Sequence, residues 1–141
     1  MIRRRYFFIL SGVYETLPRA ELKAVLEILD PNYRLIEENS RIVVAETLEK
    51  VAKEVIHRTA YTKLVGEFVL KCETDENAII ESIKCIDPRD LVGSEIESIA
   101  VRGIRLNGAE LRKLELEALI GKHLLNIVPR LKVDLERPDL T

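Results

Sequence analysis

Apolar and polar positions along this chain change their period several times, and each change marks an element. Residues 5–10 form an apolar, aromatic run suited to a buried strand. Pro18 then stands where a first-turn proline would. Leu22, Val25, Leu26 and Leu29 recur at helical spacing until Asp30-Pro31 ends the helix. Residues 33–37 and 41–46 read as short strands around Glu38-Asn39-Ser40, a hairpin turn by composition. Thr47 is placed to cap a second helix whose Leu48, Val51, Ala52, Val55 and Ile56 share one face. Residues 62–72, with Leu64, Phe68 and Leu70, suggest a fourth strand. The order β-α-β-β-α-β is the split βαβ, or ferredoxin-like, unit, in which two helices cover one face of an antiparallel sheet.

The remainder has a different rhythm. Asp75 can cap a helix running to about Ile86, with Ile79, Ile83 and Ile86 inward and Asp87-Pro88 at its end. Residues 95–104 alternate as a strand with apolar side chains on both faces would. Asn107-Gly108 stops that strand, and Glu110 makes an imperfect capping box with Asn107. A helix follows with Leu111, Leu114, Ala118 and Leu125 on one side. Residues 131–135, Leu-Lys-Val-Asp-Leu, alternate as a half-buried closing strand, and Glu136-Arg137-Pro138-Asp139 is a turn signal. A turn after a strand normally leads to another strand, so the pattern predicts a chain cut before its last strand. The edge at 131–135 would then be open to fraying or to pairing with another chain. The overall expectation is an α+β protein with domains at 1–73 and 74–141.

Charge adds little globally, because the formal net charge is only -2. Its distribution is more informative. Residues 1–62 sum to roughly +1, residues 63–98 to about -5 and residues 99–141 to about +2. Basic residues gather as Arg3-Arg4-Arg5 at one end and as Arg102, Arg105, Arg112, Lys113, Lys122, Arg130 and Lys132 at the other. Cys72 and Cys85 cannot make a disulfide framework or a four-ligand zinc site. They are expected to be free buried thiols, consistent with a reducing cytoplasm. No apolar run reaches the roughly 18–20 residues of a membrane helix, and no secretory signal pattern is present. The lack of glutamine and the 33% of charged residues suit a thermophile.

No catalytic constellation is legible. His57 and His123 both sit near expected helix C-termini, where a cationic imidazole favours the dipole. Nucleophile triads, zinc-protease motifs and phosphate-binding glycine loops are missing from the sequence. The expectation is therefore no catalytic residue, no metal and no bound cofactor in this chain. Arg102 and Arg105 flank Gly103 at a strand end, where backbone and guanidinium could both approach a phosphate. Arg112 and Lys113 lie at the start of the next helix, whose exposed amides favour anions.

The segments Ser98-Ile-Ala-Val-Arg102-Gly-Ile-Arg105, Leu111-x-x-Leu114-Glu115…Leu119-Ile120-Gly121 and Lys132-Val-Asp-Leu-x-x-Pro138-Asp139 resemble the THUMP domain in order and spacing. The resemblance covers residues from about 74 to 141, and its last cassette is the most specific part. THUMP domains are commonly preceded by a ferredoxin-like domain, as the first half independently suggests. The resemblance implies a tRNA-binding module that grips the acceptor stem and 3′ end through backbone charge and end geometry. Within the family the layout is most similar to archaeal tRNA guanosine N2-methyltransferases acting on guanosine 10. Those carry an S-adenosylmethionine-dependent catalytic domain after the THUMP, here expected beyond residue 141. Arg102, Arg105, Arg112, Lys113, Lys122, Arg130 and Lys132 are then the expected phosphate contacts, with Arg3, Arg4 and Arg5 as accessories. Related modules occur in 4-thiouridine synthetases, pseudouridine synthases and cytidine deaminases. A ferredoxin-like regulatory or protein-interaction module is the alternative from another class, and a small stand-alone enzyme fits least.

Overall fold

The structure, a computed structural model, describes residues 2–106 and 113–141 and divides the chain into two units, Met1–Val69 and Leu70–Thr141. In the first unit, β1 (Arg3–Leu10), α1 (Leu17–Leu29), β2 (Arg34–Glu38), β3 (Ile42–Leu48), α2 (Glu49–Arg58) and β4 (Thr62–Glu67) follow the expected order. The sheet is antiparallel with strand order β2-β3-β1-β4. The apolar run that opens the chain thus becomes a central strand, flanked on both sides. Alternate residues of β1 (Tyr6, Phe8, Leu10) and β3 (Val43, Ala45) point into one core with Leu22 and Leu26 of α1 and Val51, Ala52 and Val55 of α2. Asn39 turns the hairpin, its Oδ1 accepting the N–H groups of Arg41 and Ile42 at 2.8 Å each.

Across β1 and β4, Phe7 faces Gly66 and its ring lies over the missing side chain. A Cβ at Gly66 would stand 2.5 Å from Phe7 Cζ. Gly66→Ala is therefore expected to destabilise the unit by about 1 kcal/mol through overpacking. Urea unfolding would measure this, and Phe7→Leu in the same chain should recover part of the loss.

Several expectations need correcting. Thr47 does not cap α2: it belongs to β3, the N-cap position is Leu48, and no side chain caps that end. The Thr47 hydroxyl instead donates to Asp30 Oδ2 at 2.7 Å, a partner 17 residues away that only folding brings near. The fourth strand ends at Glu67 rather than 72, since Phe68 N–H to Arg5 O is the last bond to β1.

In the second unit, α3 (Glu76–Lys84), α4 (Pro88–Leu91), β5 (Ser98–Ile99), α5 (Lys113–Ile127) and β6 (Lys132–Val133) surround a small core of Val92, Ile99 and Leu131. Asp75 caps α3 as expected, accepting from Ala78 N–H at 3.2 Å. Asp87, rather than only ending that helix, caps the short α4 through Arg89 N–H at 2.9 Å. The two long strands foreseen here shrink to two residues each, paired in parallel as Ser98 with Lys132 and Ile99 with Val133. Asp134 is the reason on one side. Its Oδ1 accepts from Glu136 N–H at 2.9 Å and Arg137 N–H at 3.0 Å, which turns the chain at once. The capping box at Asn107 and Glu110, together with Leu111, lies outside the described residues.

The cysteines are not both buried. Cys72 is half-buried, and Cys85 is exposed at the C-cap of α3. It stands two residues, about 200° of helix, beyond the inward Ile83. His57 lies in the last turn of α2, but His123 sits a full turn before the end of α5. Among the described residues no helix is long and apolar enough to cross a membrane.

Candidate nucleic-acid interface

The second unit holds the basic residues singled out from sequence, and the structure sorts them by what their head groups touch. Arg102 is exposed, and its Nη2 donates to Leu135 O at 2.9 Å, tying the chain after β5 to the chain after β6. Arg130 donates through Nη1 to Ile96 O and through Nη2 to Gly93 O at 2.9 Å, closing the turn before β5. Both guanidiniums are thus partly committed to backbone carbonyls. Lys113 stands 3.9 Å from Glu117 Oε1, one helical turn on. Arg105 is exposed and lines a shallow depression of about 510 Å³ with Lys113, Leu114 and Glu115. Lys122 on α5 and Lys132 on β6 are exposed, and their ammonium groups have no hydrogen bond or ion pair among the described residues. Arg112 lies outside the described residues.

The anion cradle suggested at Gly103 is already filled. Gly103 N–H donates to Glu117 Oε1 at 2.6 Å, so the chain's own carboxylate takes the place a phosphate oxygen would occupy. A Cβ at Gly103 would meet Lys113 Cγ at 3.1 Å, which shows how closely this backbone approaches α5. The Gly103 amide is therefore already committed within the fold.

The Val-Asp-Leu-x-x-Pro-Asp cassette turns out to be a fastening. Asp139 Oδ2 accepts from Glu97 N–H at 3.0 Å and Ser98 N–H at 3.1 Å, and Asp139 N–H returns a bond to Ser98 Oγ at 3.0 Å. Leu140 then bridges Ile99 in parallel, with Ala100 N–H to Leu140 O at 2.9 Å. β5 is thereby held on both sides, while β6 pairs with β5 alone among the described residues. The carboxyl of Asp134 is held below its ordinary range by the amides of Arg137 and Glu136. These two aspartates act on the fold itself and set where β6 and its Lys132 stand. The sequence signalled them only as a motif, because their partners are some forty residues distant or in a turn that spacing alone does not specify.

Between α5 and the β5–β6 pair runs an open, mainly apolar groove of about 540 Å³, lined by Ile99, Val101, Ala118, Leu125 and Val133 with Lys122 at its side. Among the described residues no cluster of His, Cys, Asp or Glu could hold a metal ion.

In the first unit the triple arginine is largely spoken for. Arg3 makes a bidentate pair with Asp30, at 2.7 and 3.0 Å, and Arg4 Nη1 stands 3.4 Å from Glu67. Arg5 is exposed with no such partner among the described residues. Alternation along β1 and long-range carboxylates divide what reads as one cluster.

The chain is thus a ferredoxin-like unit followed by a small α/β unit, the latter with cations spread over strand ends and one helix. Residues 73–141 match the THUMP domain family, and the second unit is a THUMP domain. The chain is 27% identical over 149 residues to the tRNA (guanine(10)-N2)-dimethyltransferase of Methanocaldococcus jannaschii, covering 94% of this chain and 41% of that protein. It thus spans about two fifths of that relative's length. Among solved structures, a 4-thiouridine synthetase in complex with RNA and bound ATP aligns over 99% of this chain and 37% of its own, with a TM-score of 0.55 and 13% identity. PH1313 of Pyrococcus horikoshii Ot3 aligns over 96% of this chain and 48% of its own, with a TM-score of 0.53 and 17% identity. These likenesses show the fold, α+β with a ferredoxin-like unit before the THUMP domain.

Proposed function

We propose that the chain is the tRNA-binding N-terminal part of a tRNA-modifying enzyme, an S-adenosylmethionine-dependent guanosine N2-methyltransferase acting on guanosine 10 in the cytoplasm. The observation that carries this is the THUMP domain placed after a ferredoxin-like unit, with 94% of this chain aligned to part of the methyltransferase relative. The methyl donor would be held, and the transfer performed, by the part of the parent protein outside these residues. The task of this chain is to fix the acceptor stem and 3′ end so that a distant base reaches that site. Lys122 and Lys132 are the foremost phosphate contacts, because their ammonium groups are exposed and uncommitted among the described residues. Arg105, Arg112 and Lys113 flank them along the chain. Arg102 and Arg130 bond carbonyls with some of their five donors and retain others for phosphate.

Filter binding of tRNA with and without its 3′ tail, across a salt series, tests this reading. Affinity should fall steeply with salt through counterion release and should favour the intact tail. Lys122→Ala and Lys132→Ala should each weaken binding to all sequences alike and reduce the salt slope by about 1. Equal, salt-independent binding to both RNAs would overturn it and favour the interaction-module reading.

A further inference from the structure

The first unit carries an exposed aromatic surface that lies outside its own core. The loop between β1 and α1 leaves Val13 75% and Tyr14 51% exposed, and Leu17, the first residue of α1, is 47% exposed. The ring of Tyr14 meets that of Tyr61 edge to face, with centroids 5.7 Å apart and planes at 81°. This pair is held on a fixed base. Ser11 N–H donates to Tyr61 O at 2.8 Å, and the Glu21 carboxylate accepts from the N–H groups of Ala60 and Tyr61 at 3.0 Å each. Beside it lies a cation. Arg41 Nε donates to Leu10 O at 3.0 Å, and Leu10 N–H returns a bond to Arg41 O at 2.8 Å. The guanidinium then rests against Gly12, where a Cβ would stand 2.9 Å from Nη1. Among the described residues neither Nη atom of Arg41 has a hydrogen-bond or ion-pair partner.

Two adjacent loops therefore present a half-exposed aromatic ring and the donor end of a tethered guanidinium, with little freedom left to lose on binding. We infer that this loop pair is a nucleotide-binding spot, in which an unpaired base stacks on Tyr14 and a neighbouring phosphate takes the Nη donors of Arg41. This rests on the reading of the chain as an RNA binder and adds a contact in its first unit. A stable protein interface needs far more contiguous apolar area than Val13, Tyr14 and Leu17 offer. A nucleotide needs one ring face and one cation, as single-strand binders supply. Guanidinium and phosphate also match in charge and geometry.

The four tyrosines and the lack of tryptophan make the test direct. Ring resonances of the whole chain would be followed by NMR during titration with a single-stranded heptaribonucleotide of mixed sequence. Tyr14 and Tyr61 should shift upfield and saturate, while the buried Tyr6 and half-buried Tyr33 stay in place. Tyr14→Ala should weaken the same RNA about tenfold and Tyr14→Phe should not. A Lys122→Ala/Lys132→Ala chain should retain the Tyr14 shift, which separates this spot from the THUMP contacts. Unmoved Tyr14 and Tyr61 rings overturn the inference even if tRNA binds with the salt dependence described above. Ring shifts that follow protein concentration without RNA overturn it too, in favour of a second copy of the chain.

Discussion

Asp30→Asn is expected to cost the first unit about 2 kcal/mol at neutral pH, the range of hydrogen bonds to charged groups. That corresponds to a fall in Tm on the order of 10 °C for a unit of this size. Asp30 is 4% exposed and sits at the C-terminus of α1, where carboxylate charge gains nothing from the helix dipole. It is held there by Arg3 at 2.7 and 3.0 Å, by the Thr47 hydroxyl at 2.7 Å and by Asn32 N–H at 3.1 Å. These donors favour the ionised form, Arg3 foremost, and bring its pKa down to about 2 from 3.8 despite the opposing effect of burial. Above about pH 4 the carboxyl is ionised folded or unfolded, and the network contributes in full. As pH falls from about 4 to about 2 the unfolded chain takes up the proton first, so stability drops, and below about 2 the contribution is gone. Urea unfolding from pH 7 to pH 2 should show wild type and Asp30→Asn converging over that window. Parallel curves would refute the assignment. Arg3→Gln should cost less, since that side chain is 32% exposed and part of its charge is already solvated.

Asp139→Ala is expected to open the β5–β6 region of the THUMP domain while the first unit stays folded. The substitution strips acceptors from the amides of Glu97 and Ser98 and frees the segment that carries Leu140 onto Ile99. The loss is about 1–2 kcal/mol because these groups can turn to water. The core it guards is small, so this is enough to show locally. Amide exchange would read it: Ala100, Lys132 and Asp134, bonded to Leu140 O, Glu97 O and Ile99 O, should lose protection roughly tenfold. Leu10 and Ser11, bonded to Arg41 O and Tyr61 O, should keep theirs. Under the proposed function, RNA affinity should also fall in this variant, because Lys132 stands on the loosened strand. Unchanged protection at all three THUMP amides would show that Asp139 does not fasten β5.

The first unit was legible because its signals are local. Pro18 starts α1, Asn39 closes a hairpin through its own neighbours, and Leu22, Leu26, Val51 and Val55 keep a helical period against one face of a sheet. Thr47 misled for the opposite reason: a threonine before a helix reads as a cap, and nothing nearby reveals Asp30 waiting across the fold. In the THUMP domain residues 95–104 kept a strand's alternation without a strand's ladder. Alternation records which faces are apolar; it does not say how far a partner runs alongside. Sequence could place Arg102 and Arg130 near strand ends but could not show that their guanidiniums also bond the carbonyls of Leu135, Ile96 and Gly93.

The sequence alone determined the element order of the first unit, its ferredoxin-like topology and the THUMP cassette, because period, turn residues and motif spacing act over a few residues. The tertiary structure alone decided which charges are spent and which remain. Asp30 consumes Arg3, Glu117 fills the cradle at Gly103, and Asp139 fastens β5 from some forty residues away. Those pairings depend on chain closure over long separations, which no local pattern encodes. Lys122, Lys132 and the Tyr14–Arg41 loop pair stand out as the proposed contacts only after that sorting.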